Sequence, residues 1–387
     1  MADRSGKTPF YKREISFRRQ HSSGPGASPK APKHHKKLVG LTVGASQLAA
    51  AEVENNGHAR VVKLARQPLE RGIVVGGELR DPDALAVALK SFFRKQKLPK
   101  RNVRLGIANN RIGVRIFELE GIDDPDQLHN AIWFRAQEAL PVAVDQAVLD
   151  YHVLERRVSD EGVVTWRVLL VVAYREAIER YVTACRAAGV KLVGVDLEAF
   201  ALLRAVGANA DADGAPVDAA TVVVSIGHDR ATLVVSDGDV CQFTRVLDWG
   251  GFALDIAVAR ALDLTPSEAE PIRRAIDLDS ADAPAGLSTG QAAAARDTIE
   301  RQVEAFAREL VSALRFYQDQ PDSQALGEVV LTGGTSHVGG LAERLQRLLG
   351  VPVRLGDPLA GVKVRRRLKG ADQLGSLAGA IGLGIEV

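Results

Sequence analysis

The chain has 387 residues, 46% of them hydrophobic, with 50 Lys and Arg against 48 Asp and Glu. This length supports two or three domains with sizeable cores, and the near-neutral charge balance argues against a nucleic-acid-binding protein. No run approaches about 18 apolar residues, so no integral membrane segment is expected.

Residues 1–37 are basic and rich in Ser, Gly, Pro and His, without apolar periodicity, so a tail outside the fold is expected. Clustered cations there give weak attraction to anionic lipid as a second reading. No apolar segment follows this basic start, so no signal peptide is expected and the chain reads as cytoplasmic. The stretch LVGLTVGASQLAAAEV, 38–53, reads as strand, Gly turn, strand, with Gly44, Ala45, Ser46 and Gln47 in the turn. Asp81 and Pro82 start a helix with Leu85, Leu89 and Phe92 inward. Val103 to Ala108 and Gly113 to Leu119 read as a strand pair joined across Asn109, Asn110 and Arg111. In the next helix Leu128, Ile132 and Arg135 lie along one side, and Trp133 and Phe134 widen its apolar face. A second strand pair covers 148–154 and 163–173, and a helix over 176–188 places Ile178, Tyr181, Val182 and Cys185 inward. The block 101–189 therefore reads as a compact α+β subdomain. Arg104, Arg111 and Arg115 give its first strand pair a basic edge to which an extended peptide could add. The plainer reading is that they only solubilise an edge strand.

Residues 190–195 return a strand to the first sheet, and a helix follows through Val206. The Ala/Asp/Gly/Pro stretch 208–219 reads as a domain boundary. Residues 221–247 form a three-strand meander whose first turn holds Gly227, His228, Asp229 and Arg230, after a strand that ends at Ser225 and Ile226. Gly250 and Gly251 open an amphipathic helix, 267–291 is loop-rich and acidic, and 298–318 is a long helix. In VVLTGGTSHVGGL, 329–341, a short strand runs through Gly333, Gly334, Thr335 and Ser336 into a helix. A small-residue helix, SLAGAIGL, covers 376–383. Cys185 and Cys241 fall inside helix and strand patterns, so buried thiols are expected rather than a disulfide.

Two strand–Gly turn–strand units half a chain apart, then a strand–Gly-Gly–helix unit, resemble the phosphate-one, phosphate-two and adenosine motifs of the actin-like ATPase superfamily. Within it the chain resembles the PilM family of type IV pilus assembly proteins, related to the division protein FtsA. Gly44, Ala45, Ser46, Gln47 and Leu48 match the family's GAS-x-L turn. Trp133, Phe134, Arg135, Ala136, Gln137, Glu138, Ala139, Leu140 and Pro141, leading to VLDYHVL, are similar to its W-x-x-E-x-x-x-P run, with the acidic residue shifted by one. The resemblance covers residue 37 to the end. It implies an α/β actin-like ATPase fold with two related halves around a nucleotide cleft. The halves would be 37–100 with 190–218 and 355–387, and 219–354, and the inserted subdomain 101–189.

By this resemblance, ATP phosphates would face the turns at Gly44, Ala45, Ser46 and Gln47 and at Gly227, His228, Asp229 and Arg230. Gly333 and Gly334, lacking Cβ atoms, would let the backbone approach the nucleoside, beside Thr335 and Ser336. The implied partner is a PilN-like membrane protein, held by its N-terminal cytosolic peptide within the pilus inner-membrane platform and its motor proteins. Several departures weaken the chemistry. The family's D-x-G before the second turn is Ser225, Ile226, Gly227 here, and Mg²⁺ in phosphate sites is commonly held through carboxylates, so Mg²⁺ is doubtful. Ala49 replaces a common Lys, Thr335 a third Gly, and Ser312 and Ala313 follow Glu309 and Leu310 where the family often has x-R-S. Arg230 reads as a solvated hairpin arginine or as a partial return of positive charge. An assembly scaffold of a type IV pilus, or of a related secretion or competence system, binding ATP weakly and with no catalytic residue, is therefore preferred. The alternatives are an active, polymer-forming ATPase and a sugar kinase, which needs a general base that Asp229, inside the turn, supplies poorly.

Overall fold

The computed structural model describes residues 35–139, 146–207, 219–238, 240–321, 323–365, 368 and 373–386. The expected tail up to residue 34, most of the 208–219 boundary, and Leu140 with Pro141 lie outside them. In the first lobe β1 (Lys37–Val43), β2 (Gln47–Asn56) and β3 (His58–Pro68) form an antiparallel meander. A short hairpin, β4 (Val74–Val75) and β5 (Glu78–Leu79), turns at Gly76 and Gly77, whose φ angles of +58° and +63° favour glycine. Helix α1 (Pro82–Lys95) starts at Asp81, whose carboxylate accepts the Ala84 N–H at 2.9 Å, and buries Leu85, Leu89 and Phe92 as the pattern predicts. Strand β6 (Val103–Ile107) then pairs parallel to β1.

The chain next leaves this sheet. Strand β7 (Ile112–Glu120), helix α2 (Pro125–Ala139), and strands β8 (Ala147–Val158) and β9 (Val164–Tyr174) form a separate unit with strand order β7-β9-β8. Its core sets Leu128, Ile132 and Ala136 of α2 against Trp166, Val168 and Leu170 of β9. Helix α3 (Arg175–Ala187) returns to pack on α1, β10 (Leu192–Leu197) pairs parallel to β6, and α4 (Glu198–Val206) follows.

The second lobe repeats the plan. Strands β11 (Ala220–Ile226), β12 (Ala231–Ser236) and β13 (Cys241–Leu247) form the second meander. Helices α5 (Gly251–Leu262), α6 (Pro266–Ala275) and α7 (Thr289–Gln318) cover it. Then come β14 (Leu326–Thr332), parallel to β11, α8 (Leu341–Leu349), and β15 (Val353–Leu355), parallel to β14. The chain crosses back through β16 (Lys363–Val364), beside β3, and ends its described course in α9 (Ala378–Gly384). The strand orders β10-β6-β1-β2-β3-β16 and β13-β12-β11-β14-β15 are one architecture used twice.

The structure corrects four sequence expectations. Residues 103–108 do not pair with 113–119; β6 sits inside the six-stranded sheet, buried at every position, so the inserted unit spans 112–174 and not 101–189. The alternation Val-Arg-Leu-Gly-Ile imitated a half-exposed strand because Arg104, 2% exposed, is itself buried. Its guanidinium donates to the carbonyls of Leu383 and Ile385, each at 3.1 Å, so Arg104 is a structural tie to the C-terminal helix and not part of a basic edge. In α2 the inner stripe is Leu128, Ile132 and Ala136, one residue off the expected Arg135, and Phe134 is 64% exposed. Residues 266–275, read as loop, form α6, closed by a capping box between Thr265 and Glu268.

Helix α9 packs between α4 and β1 with almost no side chains between the backbones. A Cβ on Gly40 would lie 2.0 Å from the Ala380 carbonyl oxygen, and one on Gly382 would lie 1.8 Å from that of Ala201. Both cysteines are free and buried, and burial raises the Cys185 thiol to about 12 and pushes that of Cys241 up too. On β8, burial raises the Asp150 carboxyl to about 6, against the Tyr151 N–H that its Oδ1 accepts at 2.9 Å; Asp196 adds to the rise.

Two outcomes are expected. Gly40→Val overpacks the α9 contact and should cost about 1–3 kcal/mol or more, read as a lower melting temperature; an unchanged melting temperature would place α9 elsewhere. Asp150 has a raised folded pKa, so stability falls as pH rises from its unfolded value near 3.9 through about 6. Asp150→Asn should therefore raise the melting temperature at pH 7.5 and change it little at pH 4. The opposite pattern would show that the carboxylate is stabilised as an ion.

Candidate functional site

The two lobes meet at a cleft floored by the first turn of each meander. The turns are built alike: the Gly44 N–H donates to the Gln47 carbonyl at 2.9 Å, and the Gly227 N–H to the Arg230 carbonyl at 2.8 Å. A strand runs into each turn, and the penultimate residues, Thr42 of β1 and Ser225 of β11, line the cleft. Gly44, Ala45, Ser46 and Gln47 line one wall, and Gly227, His228, Asp229 and Arg230 the other. Gly333, Gly334 and Thr335 complete it, so the structure brings these predicted residues together.

Ser336 is different. It is buried, and its hydroxyl donates to the Gly333 carbonyl at 2.8 Å, holding the loop instead of facing the cleft. Gly333 also has a local cause: its φ is +93°, and a Cβ would sit 2.3 Å from the Ile226 carbonyl oxygen. This glycine lets the loop touch the end of β11. The Thr335 hydroxyl donates to the Gly227 carbonyl at 2.8 Å, tying the same loop to the second turn.

Arg230 is not a solvated hairpin arginine. It is 9% exposed and reaches across the cleft, where Nη1 donates to the Ala108 carbonyl of the first lobe at 2.9 Å. A Cβ on Gly77 would fall 1.8 Å from Nη1, so the β4–β5 turn is shaped around the guanidinium. Asp229 stands 3.5 Å from Nε, and its Oδ2 accepts the Gly76 N–H at 2.9 Å across the same gap. Asn110 donates to Asp248 at 3.3 Å, and Arg71 lies 3.8 Å from Glu270, which adds two more ties between lobes.

Sequence reading missed three contributors. Glu198 opens α4 directly after β10 and lines the cleft; burial pushes its carboxyl up, against the nearby Arg230 charge. An acid placed between an apolar strand and a helix was its available signal. Helix α6 brings Glu270, Arg273 and Arg274 to the rim, signalled by the Thr-Pro-Ser-Glu cap. Gly77 comes from a Gly-Gly pair between Val75 and Glu78, a hairpin signature. Tyr181 donates to the Gly77 carbonyl at 3.2 Å, and burial raises its pKa. Burial, with the neighbouring Arg71, lowers that of His228.

The predicted arginines divide. Arg111 pairs with Glu78 at 2.9 Å and lies over the Tyr174 ring, so it ties the inserted unit to the first lobe. Arg115 is exposed on β7, an outer strand of the three-stranded sheet.

The residues present fit a phosphate-bearing ligand. Two Gly turns face one space, and a buried guanidinium beside them has Nε and Nη2 without a hydrogen bond. The two strand ends fit Mg²⁺ poorly, because Thr42 and Ser225 place hydroxyls there; the carboxylates of the cleft, Glu198, Asp229 and Glu270, lie elsewhere on its lining.

A family model described as Type IV pilus assembly protein PilM matches residues 40–386. Among curated proteins, the cell division protein FtsA of Escherichia coli (strain K12) is 24% identical over 362 residues, covering 84% of each chain. Among solved structures, a PilM-PilN type IV pilus biogenesis complex matches with a TM-score of 0.73 at 26% identity, over 90% of this chain and 97% of that one. The ethanolamine utilization protein EutJ of Carboxydothermus hydrogenoformans matches at 0.54 and 17% identity, over 94% and 92%. MreB5 of Spiroplasma citri, bound to ADP, matches at 0.51 and 12%, over 90% and 94%. The fold is that of the actin-like ATPases, with two lobes and an added subdomain.

Restoring a carboxylate tests the cleft. Ser225→Asp should create Mg²⁺-dependent ATP binding, measured by calorimetry with and without the metal. If the variant binds no better with Mg²⁺ than without, the end of β11 does not face the phosphates.

Proposed function

Because the chain belongs to the PilM family of type IV pilus assembly proteins, we propose that it is a scaffold of the pilus inner-membrane assembly. It docks the cytosolic N-terminal peptide of a PilN-like membrane protein, and through that partner it stands at the inner face of the cell membrane. One observation carries the docking surface. Among the described residues, the outer strands of the β7-β9-β8 sheet ladder with no further strand; β7 lies against β13 of the second lobe, which leaves β8 as the edge for a peptide. An extended peptide can add to such an edge through main-chain hydrogen bonds, with side chains read alternately on the two faces. One face of the unit has a core of its own, and the other joins the first-lobe core through Val114, Leu169 and Val171.

ATP is held weakly, and turnover is negligible. A phosphoryl-transfer site needs charge stabilisation at the phosphates, and both strand ends here offer hydroxyls. A working ATPase is the second reading, and Glu198 is the observation in its favour. It is a carboxyl in the cleft, placed where it could act on a water.

Phosphate release with Mg-ATP should stay at background for the native chain and for Glu198→Gln alike. Release that Glu198→Gln abolishes would establish the ATPase instead. For docking, a synthetic peptide of the partner's first residues should bind the native chain in a calorimetric titration. Binding should be lost when residues 112–174 are replaced by the corresponding block of an FtsA-type relative. Equal binding by a folded swapped chain would move the docking site elsewhere.

A further inference from the structure

The C-terminal half of α7 carries a surface that neither the cleft nor the inserted unit uses. A groove of about 700 Å³ lies over it, bordered by Arg245 of β13 and Leu348 of α8. On α7 itself, Arg308, Val311 and Arg315 recur at helical spacing along the groove, with Phe316 beside them. Phe316 is 55% exposed and Leu348 39%, so two large apolar side chains meet water there. Phe316 is nonetheless held in place, with its ring centroid 5.7 Å from that of Phe243. A fixed, half-exposed aromatic ring among arginines has the composition of an interface anchor. Arg245, Arg308 and Arg315 are exposed, and among the described residues none of their guanidinium groups has an ion pair or a hydrogen bond. Of the two carboxylates on the lining, Glu304 is held by Arg344 at 2.8 Å, and only Asp319 offsets the three arginines. The groove therefore combines apolar contact area with an excess of positive charge.

We propose that this groove is a second docking site, for an acidic amphipathic helix of a partner protein. Arg308 and Arg315 stand about two turns apart on α7, roughly 10.5 Å along its axis. A partner helix with carboxylates at that same spacing pairs with both, while its apolar stripe meets Val311, Phe316 and Leu348. Arg245, on the neighbouring strand, takes a further carboxylate. The apolar contacts supply most of the affinity, and the exposed ion pairs select the sign of the partner and its register. The same charge argues against the chain's own N-terminal stretch as occupant, because residues 1–37 are basic and would bring like charge to the three arginines. The inference does not rest on the scaffold reading, since no residue of the groove belongs to the cleft or to residues 112–174.

The probe is a synthetic helix of about 18 residues, roughly five turns, with leucines on one face and glutamates flanking them. Its control carries lysines in place of the glutamates. In fluorescence anisotropy with the full chain, the acidic helix should bind at least about tenfold more tightly than the basic one. The difference should collapse near 1 M salt, where the Debye length is about 3 Å. Arg308→Glu combined with Arg315→Glu should reverse the preference, and Phe316→Ala should weaken the acidic helix by about tenfold. All three side chains are exposed, so the variants should keep the native melting temperature. Should Phe316→Ala lower it, Leu348→Ala measures the apolar contribution and the charge-reversed chain carries the comparison. Equal binding of the two helices, no binding of either, or charge reversal that leaves the acidic helix unaffected would each overturn the proposal. Sedimentation equilibrium tests a second copy as the occupant: the native chain should not associate through this face. Self-association abolished by the two Arg→Glu changes would make the groove a contact between copies and overturn the partner assignment. The PilN-like peptide, titrated into the same variants, should bind as it does to the native chain. Its failure to bind the native chain would count against the scaffold and not against the groove.

Discussion

The backbone of α9 touches the backbones of β1 and α4, and the placement of both lobes follows from that contact. Gly40 meets Ala380, and Gly382 meets Ala201, at distances that a single methyl group would not survive. Because α9 comes so close, α4 is covered on that side. Its opposite side meets Val223, Val234 and Val330 of the second lobe in one continuous core. Nearly every α4 side chain is buried, as a helix held between two sheets requires. The first residue of this helix, Glu198, is consequently delivered to the cleft, and the two sheets aim their first turns at each other.

How much of this was legible in the chain depended on whether polarity matched burial. The hairpin at 38–53, the meander at 221–247, the Gly-Gly loop at 333 and 334, and the small-residue final helix were read correctly, because apolar runs and glycines there mean what they usually mean. The two cysteines were placed inside the core for the same reason. Strand β6 was assigned to the wrong sheet because a buried arginine, Arg104, wrote a false polar position into it. Helix α6 was hidden by acidic residues that lie on its rim, although its capping box was in plain view. Arg230 looked like a surface residue because its acceptor, Ala108, is 122 positions away in sequence. Ser336 was placed at the site by its neighbours in the chain, whereas its hydroxyl is spent inside the loop. Local pattern carries secondary structure and turn chemistry; contacts across the cleft belong to the tertiary fold alone.

The repetition of one plan in both lobes clarifies the chemistry of the cleft. Thr42 and Val43 end β1 before Gly44, as Ser225 and Ile226 end β11 before Gly227. Sequence reading noticed the neutral residue in the second half and overlooked its counterpart in the first. Both halves present a hydroxyl at the same point. The lobes are nonetheless joined by Arg230 to Ala108, Gly76 to Asp229, Asn110 to Asp248 and Arg71 to Glu270. Such ties hold the protein part of the cleft together without calling on a bound metal, as suits a protein whose proposed task is to hold a partner on a separate subdomain.

The burial of both sulfurs has a practical consequence. Thiolates, not thiols, attack maleimides and disulfide reagents, and exposure is needed as well. Cys185 and Cys241, the two cysteines of the sequence, are 1% and 0% exposed, with their ionisation suppressed. The native chain is thus already a silent background for site-specific labelling. A single surface cysteine placed on each lobe would accept a spin or fluorescence probe pair with no native position to remove first, so the opening of the cleft can be followed as a distance in the unaltered core.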